Sequence, residues 1–211
     1  MKVLLVNGSP HPQGCTYTAL LEVEKTLLED GIETEIIWLG KQAINGCIDC
    51  RDCAQNKQCI FNDVVNEFVD KAQSADGFIF GSPVHYAGAS GAITAFLDRV
   101  FFSTMLSGKS STFKHKPGSV IVSARRGGTT AAYDQLNKYL GISQMPIISS
   151  QYWNMVHGST PEQVQQDEEG MQIMRVLGRN MAYFLKCQEA GTKAGIQPPA
   201  SEKRVSTNFI R

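Results

Sequence analysis

The sequence predicts an α/β fold built on a doubly wound, five-stranded parallel sheet. Three observations carry this. Short apolar runs of strand length alternate with longer stretches whose apolar residues recur every three to four positions, the pattern of strand–helix–strand units. The runs Val3-Leu4-Leu5-Val6 and Phe78-Ile79-Phe80 are continuously apolar, as strands covered on both faces require. Loops rich in glycine and small hydroxyl residues follow the strands, where such sheets bind ligands. At 211 residues and 42% hydrophobic, the chain has the material for one large core.

The first strand covers residues 2–7, and Gly8-Ser9-Pro10 ends it. A helix follows over 16–29 on the apolar positions Leu20, Leu21, Val23, Leu27 and Leu28. Ile36, Ile37 and Trp38 mark a second strand over 33–39, and a cysteine-rich loop occupies 40–61. Asn62 or Asp63 then caps a helix to about residue 73, with Val64, Val65, Phe68 and Val69 on its apolar face. The third strand covers 76–81, with a helix over 90–102; the fourth covers 119–124, with a helix over 129–140; the fifth covers 145–150. An acidic first turn opens a last helix from 161 to about 188. In it Met171, Met174, Leu177, Met181 and Phe184 step at helical spacing and describe a core or dimer seam. Five strands linked through helices suit the flavodoxin-like order 2-1-3-4-5. Residues 1–188 form the expected domain, and 189–211, rich in Gly, Pro, Ser and Lys, the expected tail.

The loop from Asn7 to Thr16 joins the first strand to the first helix. A helix N-terminus there offers free N–H groups and partial positive charge to a phosphate. Ser9, Thr16 and Thr18 add hydroxyl donors, and Gly8 and Gly14 allow close backbone approach. Neither G-x-x-x-x-G-K-[ST] nor G-x-G-x-x-G is present, which disfavours a P-loop or a Rossmann dinucleotide site. The alternative is an ordinary turn capped by Thr16. A second loop, residues 81–91, carries Pro83, Val84, His85, Tyr86, Ala87 and Gly88 beside the first strand, at the topological switch point. Its small residues let backbone N–H groups reach a planar ring on which Tyr86 can stack; alternatively Tyr86 only covers the sheet end. The third loop holds Ser123, Arg125, Arg126, Gly127 and Gly128. Either arginine can meet a charged ring edge or a dinucleotide phosphate, or stand as a solvated surface residue. The aromatic run 151–158 lines the pocket or a subunit contact, or packs in the core.

Four of the six cysteines fall within residues 47–59. Cys47, Cys50 and Cys53 are spaced C-x2-C-x2-C and Cys59 follows, close to the bacterial ferredoxin run, although Ile60 rather than proline comes next. In a reducing compartment such a cluster serves as ligands rather than disulfides. Three readings stand: a [4Fe-4S] centre, a structural zinc, and a metal-free loop of reduced thiols. Zinc sites favour paired knuckles set further apart. Cys15 and Cys187 lie outside the group, as small semi-buried residues.

At these loops the chain resembles the NADPH-dependent FMN reductase-like branch of the flavodoxin-like superfamily. The resemblance is carried by Gly8-Ser9-Pro10 with Gly14 and Thr16, by Ser82-Pro83-Val84-His85-Tyr86, and by Ser90-Gly91 through Phe96-Leu97-Asp98-Arg99, and it covers residues 2–186. Within that branch the cysteine spacing is similar to that of iron–sulfur flavoproteins, which hold FMN and a [4Fe-4S] cluster. The resemblance implies FMN phosphate at Ser9, His11, Thr16, Tyr17 and Thr18, and the ring over Pro83 to Gly88. His11 stands where the family often has Arg, and Cys15 where it often has Asn. It further implies an FMN-dependent oxidoreductase passing electrons from NAD(P)H or a ferredoxin to a small-molecule or protein acceptor. The cofactor supplies that chemistry, so no catalytic side chain is required.

Two other classes compete. A non-enzymatic flavodoxin-like carrier would dock through strong acidity, and the net charge is +0. A metal-sensing or scaffold protein would use the cysteine loop alone. With Lys+Arg 20 against Asp+Glu 20, no basic surplus points to nucleic acid. No apolar stretch approaches the roughly 20 residues that span a bilayer. The N-terminal apolar run is too short for a signal peptide, so the expected location is cytoplasmic. The long last helix and tail can wrap a partner, so a homodimer or tetramer is expected.

Overall fold

Along β1 (Lys2–Asn7), Val3 and Leu5 turn to one face and Leu4 and Val6 to the other, all buried. That two-sided burial makes β1 a central strand. In this computed structural model, which describes residues 1–203 and 205–209, it lies between β2 (Glu33–Trp38) and β3 (Gly77–His85). A two-residue strand, β4 (Gly88–Ala89), folds back antiparallel on β3. With β5 (Gly118–Ala124) and β6 (Met155–His157) the order is β2-β1-β3-β5-β6, every neighbouring pair parallel. Leaving aside β4, this is a flavodoxin-like sheet in the order 2-1-3-4-5.

Helices cover both faces. α1 (Cys15–Glu29) brings Leu20, Val23 and Leu27 against Val3, Leu5, Ile79 and Ile121. A short helix, α2 (Cys53–Asn56), lies in the cysteine loop. α3 (Val64–Ala72) and α4 (Gly91–Leu106) pack Phe68, Phe96 and Val100 against Leu4, Val6, Phe78 and Phe80 on the opposite face. α5 (Thr129–Ile142) adds Leu136 and Leu140 to that layer. α6 (Pro161–Gln166) is followed by α7 (Glu168–Lys193), whose Ile173, Met174, Leu177 and Met181 join α1. The methionine–leucine stripe read from the sequence is therefore core. Gly178 permits this pairing: a Cβ there would lie 2.8 Å from Thr26 Cβ.

Several boundaries differ from the sequence reading. The edge strand is Met155–His157, not residues 145–150. The expected segment makes one bridge, Gly118 to Ile147, and leaves the sheet. Pro146 has no N–H to give and only accepts, from Gly118 N at 2.9 Å. Fully buried Asn154 brings the chain back, donating to Ser119 Oγ at 3.0 Å and Val120 O at 3.2 Å. The third strand does not stop at residue 81 but runs on to His85, so the second ligand loop is largely a hairpin. The expected last helix is broken at Asp167, whose carboxylate caps α7 by accepting from Gly170 N at 2.9 Å. α7 ends at Lys193; of the expected tail, residues 204, 210 and 211 lie outside the described residues.

Candidate functional site

Three strand ends meet at one edge of the sheet and are tied to one another. Gly8 N donates to Gly81 O at 2.9 Å, and Gly8 O accepts from Ser90 Oγ at 2.9 Å. Ser90 N donates to Ser82 Oγ at 3.0 Å, while the Ser90 hydroxyl also caps α4 by accepting from Ile93 N at 3.4 Å. A Cβ on Gly8 would lie 2.8 Å from Ile93 Cβ, so the close approach needs glycine.

The loop between β1 and α1 folds on its own polar groups. Asn7 Oδ1 accepts from Ser9 N at 3.1 Å, and Asn7 Nδ2 donates to Pro12 O at 3.2 Å. Ser9 Oγ accepts from His11 N at 3.1 Å, and Trp38 Nε1 donates to Ser9 O at 2.8 Å. The N-cap of α1 is Gly14, not Thr16; it gives no side-chain hydrogen bond, and the first turn holds no acidic residue. The positive end of α1 therefore faces the loop with no acidic residue of its own first turn to neutralise it. Ser9, Thr16 and Thr18 are buried, Cys15 and Tyr17 half-buried, and His11 exposed. Thr16 Oγ1 and Ser123 Oγ share a hydrogen bond of 2.8 Å that joins α1 to β5, and Thr18 Oγ1 donates back to Gly14 O at 3.2 Å. Cys15 Sγ donates to Gly158 O at 3.5 Å, and burial pushes its thiol pKa up.

β3 runs through Pro83, Val84 and His85 to a turn at Tyr86 and Ala87, with φ of 48° and 60°. Left-handed values at both central residues match a type I′ hairpin turn. Gln135 on α5 holds the returning strand, accepting from Ala89 N at 3.1 Å. Gly128, at φ 96°, packs against the turn so closely that a Cβ would lie 2.7 Å from Ala87 Cα. The β5–α5 loop thus props the hairpin. His85, Tyr86, Ala87, Arg125, Arg126 and Gly127 are exposed around this edge. Tyr152 and Trp153 lie in the excursion before β6, half-exposed and edge-to-face, so they are not core.

The second feature is the cysteine loop. Cys47, Cys50, Cys53 and Cys59 line one small solvent-open hollow, with Phe61, Arg99 and Phe102 behind them. Cys47 and Cys50 are exposed, Cys59 is half-buried and Cys53 is buried. Burial pushes the Cys53 thiol pKa up; its own backbone hydrogen bond opposes this, and the nearby Cys59, Cys50 and Cys47 add to the rise. Among the described residues no three His, Cys, Asp or Glu side chains draw together closely enough to hold an ion. The donor set itself, four sulfurs around one hollow, is the soft chemistry that iron–sulfur clusters and zinc take. The loop winds through left-handed backbone at Asp49, Arg51 and Lys57, with φ of 50°, 59° and 62°. Such conformations persist only where the surroundings over-determine them.

Arg99 ties down the two ends of this loop, at Asn45 and at Cys59 and Phe61. Its side chain is 1% exposed, and Nη1 and Nη2 meet the two oxygens of Asp63 at 2.6 and 2.9 Å. Nε donates to Cys59 Sγ at 3.2 Å. Asp63 is at the same time the N-cap of α3, accepting from Val65 N at 3.1 Å.

A family model for NADPH-dependent FMN reductases matches residues 1–160. The chain belongs to this family. An iron–sulfur flavoprotein of Methanocaldococcus jannaschii is 32% identical over 192 residues, covering 88% of this chain and 98% of that one. The chain superposes on RosB with its bound intermediate 8-demethyl-8-formylriboflavin-5′-phosphate with a TM-score of 0.70 at 14% identity, over 100% of this chain and 94% of that one. It superposes on a flavodoxin from the domain Archaea with a TM-score of 0.59 at 14% identity, over 88% and 99%. These likenesses establish a flavodoxin-like fold in an FMN reductase family.

Against that family frame, sequence reasoning missed the joints. Asn7, Ser82, Ser90, Gln135 and Arg99 carried no assigned role, yet each ties a site element in place. Arg99 did leave a signal. It stands beside Phe96 and Val100 on a helix whose core face is apolar, and a charge at such a position must be paired.

Proposed function

We propose that this protein is an FMN-dependent oxidoreductase that draws electrons from NAD(P)H or a ferredoxin and passes them to a small-molecule or protein acceptor, with a [4Fe-4S] cluster on Cys47, Cys50, Cys53 and Cys59. The observation that carries the reading is the sharing of α4 by the two sites. Its N-cap Ser90 ties the strand-end loops, and Arg99 on the same helix touches Cys59, about 14 Å further along the axis at the α-helical rise. Iron–sulfur flavoprotein relatives that align over nearly the whole chain support the pairing.

FMN, when bound, supplies the redox chemistry. The first turn of α1, with Ser9, His11, Cys15, Thr16, Tyr17 and Thr18 around it, holds the phosphate. The backbone of Pro83, Val84, His85, Ala87 and Gly88 edges the ring, and Tyr86 excludes water from its face. Ser123, through Thr16, fixes the distance between β5 and the phosphate loop. Arg125, with Gly127 and Gly128 leaving the backbone open, meets the phosphates of a dinucleotide donor. The four sulfurs would hold the cluster, which would supply one-electron capacity. A homodimer or tetramer is supported by the exposed Tyr152, Trp153 and Tyr183, and a cytoplasmic setting, where thiols stay available as ligands, belongs to the same reading. No helix among the described residues is long and apolar enough to cross a membrane.

The test is anaerobic expression with iron supply, followed by visible spectra, flavin, iron and sulfide analysis, and reduction by NADH and by NADPH. The expected result is stoichiometric FMN, about one cluster per chain, and bleaching by a nicotinamide donor. Cys50→Ala keeps the FMN and loses the iron. Absence of bound or reconstitutable FMN overturns the proposal; stoichiometric FMN without iron leaves a plain flavin reductase.

A further inference from the structure

We infer that the Arg99–Asp63 pair sets the charge balance of the four-cysteine centre: Arg99 anchors Cys59 and favours the reduced form of the cluster, and Asp63 restrains that bias. The inference rests on the reading of the cysteine loop as a cluster site.

Burying a guanidinium is strongly unfavourable unless its donors are satisfied. Here they are. Nε donates to Cys59 Sγ at 3.2 Å; Nη1 donates to Asp63 Oδ2 at 2.6 Å and Asn45 O at 3.4 Å; Nη2 donates to Asp63 Oδ1 at 2.9 Å and Phe61 O at 3.3 Å. The guanidinium carbon sits 4.8 Å from the Phe61 ring centroid. All these partners, Asn45, Cys59, Phe61 and Asp63, belong to the segment that carries the cysteines. Arg99 is the peg around which that segment is wound.

A peg alone does not explain the Nε contact. Neutral sulfur is a weak acceptor, and a carbonyl would satisfy the donor better. A ligating thiolate carries negative charge and accepts a stronger, charge-assisted hydrogen bond. Hydrogen bonds to the sulfurs and nearby fixed charge are the protein's levers on cluster potential. Each electron accepted makes the centre one unit more negative. A cation touching Cys59 lowers the energy of that form, and the Asp63 carboxylate on the far side of the guanidinium offsets part of the effect. The two members of the pair are therefore positioning residues with opposite electrostatic signs.

The experiment compares the full chain with Arg99→Met, Arg99→Lys and Asp63→Asn after anaerobic reconstitution with iron and sulfide. Readouts are iron and sulfide per chain, the cluster midpoint potential by dithionite titration followed by electron paramagnetic resonance, and iron loss to a chelator. Bound FMN reports the integrity of the remaining fold. Arg99→Met shifts the potential down and speeds iron loss by about tenfold or more, the range for lost outer partners of metal ligands. Arg99→Lys falls between it and the parent. Asp63→Asn keeps the helix cap and shifts the potential up. A merely structural peg would move both variants the same way, or neither; either result overturns the inference. Should Arg99→Met fail to fold, absence of the upward shift in Asp63→Asn overturns it alone. A parent chain that takes up no iron overturns the cluster reading and this inference with it, whereas a loaded parent with unmoved variants overturns only the inference.

Discussion

Ser90→Ala removes a single oxygen that joins two loops and a helix. In the parent, Ser90 Oγ donates to Gly8 O at 2.9 Å and accepts from Ile93 N at 3.4 Å, at a residue 2% exposed. Loss of the N-cap costs about 1 kcal/mol. The Gly8 carbonyl is buried, and leaving it without a donor costs about 1–3 kcal/mol more. The sum, about 2–4 kcal/mol, corresponds to a fall in Tm of roughly 4–16 °C for a domain of this size. Urea unfolding read by circular dichroism should show a lower midpoint at unchanged slope, the sign of lost stability rather than altered compactness. Ser90→Thr retains the hydroxyl and should recover most of the loss. FMN affinity should fall in the alanine variant, because the Gly8 carbonyl loses its tie to the start of α4 while the Ser90 N–H bond to Ser82 Oγ remains. An alanine variant within about 0.5 kcal/mol of the parent, the range of neutral surface changes, refutes the idea that this hydroxyl is the joint.

Other perturbations separate the site from the scaffold. Gly128→Val forces a β-branched residue into φ 96° with its Cβ 2.7 Å from Ala87 Cα; fluorescence titration should find FMN binding weakened about tenfold or more, with the far-ultraviolet spectrum preserved. Gly178→Leu drives a side chain into Thr26, 2.8 Å from the Cβ position, and should destabilise by about 2–3 kcal/mol in urea while leaving FMN affinity untouched. Glu35 is held below its ordinary value of 4.5 by hydrogen bonds from Lys2 and Lys71. Because its folded pKa is depressed, its contribution is present above pH 4.5 and is lost as pH falls through the lower folded value, so Glu35→Gln should flatten the acid limb of stability measured by urea midpoints from neutral pH downward.

What this sequence determined unaided is what neighbouring residues determine between themselves. The bounds of β1, the start of β2, and a helix cap at residue 62 or 63, which the structure assigns to Asp63, follow from apolar runs and from an oxygen-bearing side chain one step before a helical period. The sheet order and the convergence of glycine-rich loops at one edge were legible for the same reason, since each loop sits at a strand end whose place the alternation dictates; the family was legible from its resemblance in motif residues, Gly8-Ser9-Pro10 and Ser82 to Tyr86 among them. The edge strand was not legible. Met155 and Val156 owe their strand to pairing with Val122 and Ser123, and to Asn154 reaching Ser119, contacts set by chain return rather than by local pattern. The extension of β3 into a hairpin likewise depends on Gly128 and Gln135, both on later elements. The cysteine spacing marked a candidate ligand group and left a cluster, a zinc and a metal-free loop open. That Arg99 reaches Cys59 and Asp63 was decided only in three dimensions, because α4 must dock on the sheet before its buried charge meets the loop that neutralises it.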